Sequence, residues 1–66
     1  MNIGEKIKEL RNDKGLTQEV FAEKLKISRS ALSLYEIGKR QVPNELILLI
    51  AKTFSVKTDF LFGLED

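Results

Sequence analysis

Only three residues, Lys26-Ile27-Ser28, separate two segments of helical periodicity in this chain, and that link constrains the fold more than any other feature. Thr17 is placed to cap the first segment, which runs to about Leu25, with Glu19 favourably set in its first turn. Ser28 is placed to cap the second, which runs to about Glu36. So short a link forces the two helices to cross steeply instead of lying antiparallel. Phe21, Ala22 and Leu25 line the inner stripe of one, Leu32 and Tyr35 that of the other. Ala22 falls where the axes come closest, and Ile27 and Leu32 plug the junction beneath.

The flanking punctuation predicts three more helices and no strands. Asn2 can cap a helix carrying Ile3, Ile7 and Leu10 on one face, with Glu5 completing a capping box and Gly15 stopping the helix. Gly38 ends the helix that Ser28 opens. After a polar loop over Lys39–Val42, Pro43 suits the entry to a fourth helix reaching about Phe54. Thr58 to Phe62 makes a last turn or two, closed by Gly63, and Leu64-Glu65-Asp66 is expected to fray or to lead onward. The reading is all-α, five helices in one domain over residues 1–66.

Composition narrows the chemistry. The 66 residues include no Cys and no His, so disulfides and the usual zinc sites are excluded and the core must come from packing. A hydrophobic content of 42% suffices for that, although a domain this small buries only roughly 60% of the surface its unfolded chain exposes. No cofactor or metal is expected. Enzymatic activity is not expected either. The chain offers no nucleophile–base pair, Gly-rich phosphate loop or paired carboxylates, and too little bulk to enclose a substrate cleft. The longest apolar run, Leu46–Ala51, is six residues, well short of the roughly 20 that a membrane span needs. Met1-Asn2-Ile3-Gly4-Glu5 has neither the basic nor the apolar part of a secretory signal. The expectation is a soluble protein of the cytoplasm.

The net charge of +1 conceals an asymmetry. Residues 24–40 hold Lys24, Lys26, Arg29, Lys39 and Arg40 against Glu36 alone, while the segments on either side are net acidic. A basic middle between acidic flanks is what a phosphate-facing surface needs. Within it, the helix opened by Ser28 turns Arg29, Ser30 and Ser33 outward, with Leu34 at the edge of that face. Arginine can grip guanine bidentately, serine can donate or accept at several base edges, and leucine can touch a thymine methyl. Such a face suits the major groove of double-stranded DNA.

A longer pattern surrounds these residues. Leu16-Thr17-Gln18-Glu19, Phe21-Ala22, Leu25, Ile27-Ser28, Leu32, Tyr35-Glu36 and Gly38-Lys39-Arg40 stand at fixed spacing, followed by Ile50-Ala51, Phe54, Val56, Asp59, Leu61 and Gly63. Together they resemble the Xre-type, lambda-repressor-like helix-turn-helix family of transcriptional regulators, over nearly the whole chain. The resemblance implies a five-helix DNA-binding fold, a recognition helix at 28–36, and a homodimer repressing from a palindromic operator. By position it implies Arg29, Ser30, Ser33 and Leu34 as base readers. It implies Gln18, Ser28, Lys39 and Arg40 near phosphate, with Gln18 also bracing the recognition helix. Arg11 and Glu36 match a pair that in many members forms a buried salt bridge.

Three positions depart from the family pattern. Lys26 stands where glycine is common and must accept positive φ or a different turn. Lys57 replaces a common capping serine, which loosens the last helix. Ile37 stands where a polar residue often approaches phosphate, leaving its backbone N–H to do so. Helix four is apolar on every side, whereas a surface helix needs one stripe. The surplus, Leu48 or Leu49, with Phe60 and Phe62, is expected to form a self-association patch. A second class of function stays open: a protein-interaction module or antitoxin-like domain with weak DNA contact. The acid-free run from Lys24 to Tyr35 argues against it.

Overall fold

The computed structural model describes residues 2–64. Helices α1 (Ile3–Asp13), α2 (Gln18–Leu25), α3 (Arg29–Glu36), α4 (Asn44–Phe54) and α5 (Thr58–Leu61) come in that order along the chain, with no strand among the described residues. No helix among them is long and apolar enough to cross a membrane.

The expected caps open the first three helices. The Asn2 side chain accepts from the Glu5 N–H at 2.8 Å, the Thr17 hydroxyl from Val20 at 3.2 Å, and the Ser28 hydroxyl from Ala31 at 3.0 Å. Glu5 closes its box through the Asn2 side-chain amide, at 3.0 Å. Pro43 stands at the entry to α4 as its N-cap, and neither it nor Lys57 supplies a side-chain cap. Without a cap, α5 extends for only four residues.

At the other end, all five helices stop the same way. Each leads into a residue in the left-handed region: Gly15, Lys26, Gly38, Ser55 and Gly63. The next N–H then reaches back over the last turn, as Leu16 does to the Arg11 carbonyl (3.1 Å), Ile27 to Ala22 (3.0 Å) and Lys39 to Leu34 (3.0 Å). Lys26, at φ 58°, therefore adopts the positive-φ alternative, an arrangement that costs an L-residue roughly 1–2 kcal/mol. Leu64 closes the last reversal, its N–H donating to the Asp59 carbonyl at 2.9 Å. Glu65 and Asp66 lie outside the described residues.

One wholly enclosed side chain comes from each helix: Ile7, Phe21, Leu32, Ile50 and Leu61. Each such burial stabilises by about 1.5–3 kcal/mol. Ala22 is buried as expected, and the Phe21 and Phe54 rings stack at 4.6 Å, tying α2 to α4. One close backbone approach involves a residue the sequence did not single out. A Cβ on Gly4 would lie 2.1 Å from the Tyr35 carbonyl oxygen and 3.0 Å from that of Glu36. Only a hydrogen at that position lets the first turn of α1 rest on the end of α3.

The variant Gly4→Ala must separate these helices. It is expected to lose about 3 kcal/mol or more, since overpacking against backbone has no flexible neighbour to absorb it. Thermal melts monitored by circular dichroism measure this, and a Tm within about 2 °C of the parent contradicts the packing described.

Candidate nucleic-acid interface

The site is built outward from one buried carboxylate. Glu36, in the last turn of α3, is only 5% exposed. Its Oε2 accepts from Arg11 Nε at 2.8 Å, and its Oε1 accepts from Arg11 Nη2 at 3.2 Å and Gln18 Nε2 at 3.0 Å. Arg11 spends another N–H on the Leu16 carbonyl, at 2.9 Å. The residues joined are the last turn of α1, the loop after it, the first residue of α2 and the end of α3. No buried side-chain nitrogen or oxygen among the described residues lacks a partner. Both the Arg11–Glu36 pair and the bracing by Gln18 are thus present in the geometry.

That network fixes how α3 presents its opposite face. Arg29, Ser30, Ser33 and Leu34 line one shallow surface hollow. Arg29 and Ser30 are exposed, whereas Ser33 and Leu34 are half-buried. Arg29 also borders a second hollow with Arg11, Thr17, Gln18 and Glu19, so the start of α2 adjoins the start of α3. Sequence reading gave Glu19 only a helix-terminal role and missed that it faces this hollow. Its position two residues after the Thr17 cap was the available signal.

Ser28 uses its oxygen as a cap, which leaves the hydroxyl hydrogen free to donate. Gln18 spends one amide hydrogen on Glu36 and keeps the other. Beyond α3, Lys39 and Arg40 are exposed, with the Arg40 guanidinium 6.0 Å from the centre of the Tyr35 ring. They share a surface groove with Asn2, Val42, Asn44 and Phe62.

Several expectations need correction. Lys24 does not join the basic face: it borders a separate hollow with Lys14, Leu16, Thr53, Phe54 and Ser55, at the far end of α2. The Ile37 N–H is not free for a phosphate, because it donates to the Ser33 carbonyl at 3.2 Å. Its side chain is instead 61% exposed, which the sequence reading had not used. In the expected apolar patch, Leu48, Leu49 and Phe62 are all exposed, Leu48 to 61% and Phe62 to 51%. Phe60 is not available in the same way. It is half-buried against the core, with Lys6 Nζ 4.7 Å from its ring centre.

The helix-turn-helix family model matches residues 7–61. This chain belongs to the helix-turn-helix family. Within that family it is similar to the HTH-type transcriptional activator BcrR of Enterococcus faecalis, 44% identical over 66 residues, covering all of this chain and 32% of that protein. It is also similar to the antitoxin PezA of Streptococcus pneumoniae, 48% identical over 54 residues, covering 82% of this chain and 34% of that protein. Among solved structures, the restriction-modification controller protein C.AhdI from Aeromonas hydrophila superposes with a TM-score of 0.83 at 35% identity, covering 91% of each chain. The chain thus spans about a third of the length of the curated relatives named, and nearly all of the solved controller.

Because Glu36 is enclosed, removing its charge leaves Arg11 and Gln18 without their acceptor. Glu36→Ala is expected to cost about 3–5 kcal/mol, the range for breaking a buried pair. Denaturant unfolding measures the loss. A change under 1 kcal/mol shows that the network does not hold α3.

Proposed function

We propose that this chain is a sequence-specific DNA-binding regulator of transcription, with α3 entering the major groove. The observation that carries the reading is a division of charge on one helix. Four groove-suited side chains share an exposed hollow, while the only acid of α3 is turned inward and neutralised by Arg11. Arg29, Ser30, Ser33 and Leu34 read base edges in this proposal. The free hydrogens of Ser28 and Gln18, with Lys39 and Arg40, hold the phosphates on either side. Family membership and the likeness to BcrR and C.AhdI support it. The proposed role is binding without catalysis, in the cytoplasm.

Two copies, each placing α3 in successive major grooves about 34 Å apart, would read a palindromic operator. The exposed Leu48, Leu49 and Phe62 are the proposed contact between copies. A dimer seated across a promoter would repress it by occlusion. A second reading, docking of a partner protein, is favoured by the similarity to PezA. Failure to bind any fragment of a random DNA pool at low salt would favour that reading.

Operator titrations separate the two kinds of contact. Arg29→Ala is expected to relax base preference at one position per half-site, at about 1–3 kcal/mol, whereas Lys39→Ala weakens binding to all sequences alike and lowers the salt slope by about one. Unchanged preference in Arg29→Ala removes the base-reading assignment. For assembly, Leu48→Lys is expected to keep the helical circular dichroism of the parent and to shift sedimentation toward monomer. A variant as dimeric as the parent places the contact elsewhere.

A further inference from the structure

We infer that Ile37 is a further specificity-determining residue, an apolar reader of a thymine 5-methyl group at the outer end of each half-site. The inference rests on the DNA-binding reading above and extends the contact face by one turn.

Position comes first. Counting along α3, Ser30, Ser33, Leu34 and Ile37 stand at i, i+3, i+4 and i+7. That is the spacing by which one helix lying along a groove presents four side chains to it. Ile37 is the C-cap of α3, at φ −91° and ψ 0°, and its N–H still donates to Ser33, so helical placement persists to this residue. At 1.5 Å per residue it stands about 12 Å along the axis from Arg29, the rise of three to four base pairs.

Chemistry comes second. A lone exposed isoleucine on a protein surface needs no explanation. Ile37 is not alone in that sense. By helical spacing it continues a face that already carries Leu34 and the two serines, and Lys39 and Arg40, both exposed, follow it after Gly38. With its backbone N–H committed to Ser33, it has only a branched hydrocarbon to offer whatever approaches. Sugar and phosphate oxygens gain little from such a group, whereas the thymine methyl is the one apolar feature in the major groove. The β-branched side chain also loses little rotamer freedom on making the contact.

The test uses operators from a random-pool selection, with each thymine replaced singly by deoxyuridine, which deletes the methyl and keeps base pairing. The parent chain is expected to lose about fourfold in affinity at one outer thymine of each half-site, the worth of one methyl kept from water. Ile37→Ser is expected to lose affinity for the thymine operator by a similar factor and to become indifferent to the replacement. Ile37→Val should keep most of the discrimination. Thermal melts establish that both variants fold. If Ile37→Ser retains the parent's full sensitivity to deoxyuridine, or if no outer thymine matters to the parent, the inference is overturned. Arg29→Ala in the same assay isolates the cause. A change in its base preference leaves the DNA-binding reading standing, whereas a flat response from both residues overturns the two together.

Discussion

A carboxylate sealed inside a domain of this size is tolerable only when nearly every lone pair is matched, and Glu36 meets that condition with two N–H groups of Arg11 and one of Gln18. The donors come from α1 and from the start of α2, so the cost of burying one charge is recovered only if three helices meet in a single way. Hydrophobic contacts tolerate sliding; charge-assisted hydrogen bonds at 2.8–3.2 Å do not. The orientation of α3, and so of the residues proposed to read DNA, is set by this requirement.

The same arrangement governs the electrostatics of the exposed surface. Glu36 is the only acid among residues 24–40, and its charge is matched internally by Arg11. Arg29, Lys39 and Arg40 remain in solvent. Glu19, beside Arg29, moderates this surface, and Lys24 contributes to a different one. The local charge surplus read along the chain is therefore smaller on the face itself, though its sign is kept.

Most of the fold was legible because the signals were local. Asn2, Thr17 and Ser28 each cap the helix they precede, and Gly15, Gly38 and Gly63 reverse the chain, all through bonds to residues within five positions. The Arg11–Glu36 pair, 25 residues apart, was legible only through family resemblance, since no periodicity links the two. What escaped was set by tertiary geometry. The need for a bare Cα at Gly4 arises from carbonyls more than thirty residues away. Lys24 left the basic face because its rotation about α2 directs it to the ends of α1 and α4. Phe60 left the proposed patch because α1 supplies Lys6 to cover it. Ile37 was misjudged because its N–H looked free from sequence, whereas the helix keeps that bond one residue past its last regular turn.

The five left-handed reversals bear on how the chain reaches its structure. Each lets a helix stop and the next begin without a long excursion, so much of the molecule forms from neighbours already close along the backbone. Closure of such short segments takes on the order of 10–100 ns, and helical domains dominated by local contacts complete folding in microseconds to milliseconds. The contacts that no short segment can supply are those between the two ends of the chain, as where Lys6 of α1 meets the Phe60 ring of α5, a residue that a ribosome adds more than fifty steps later.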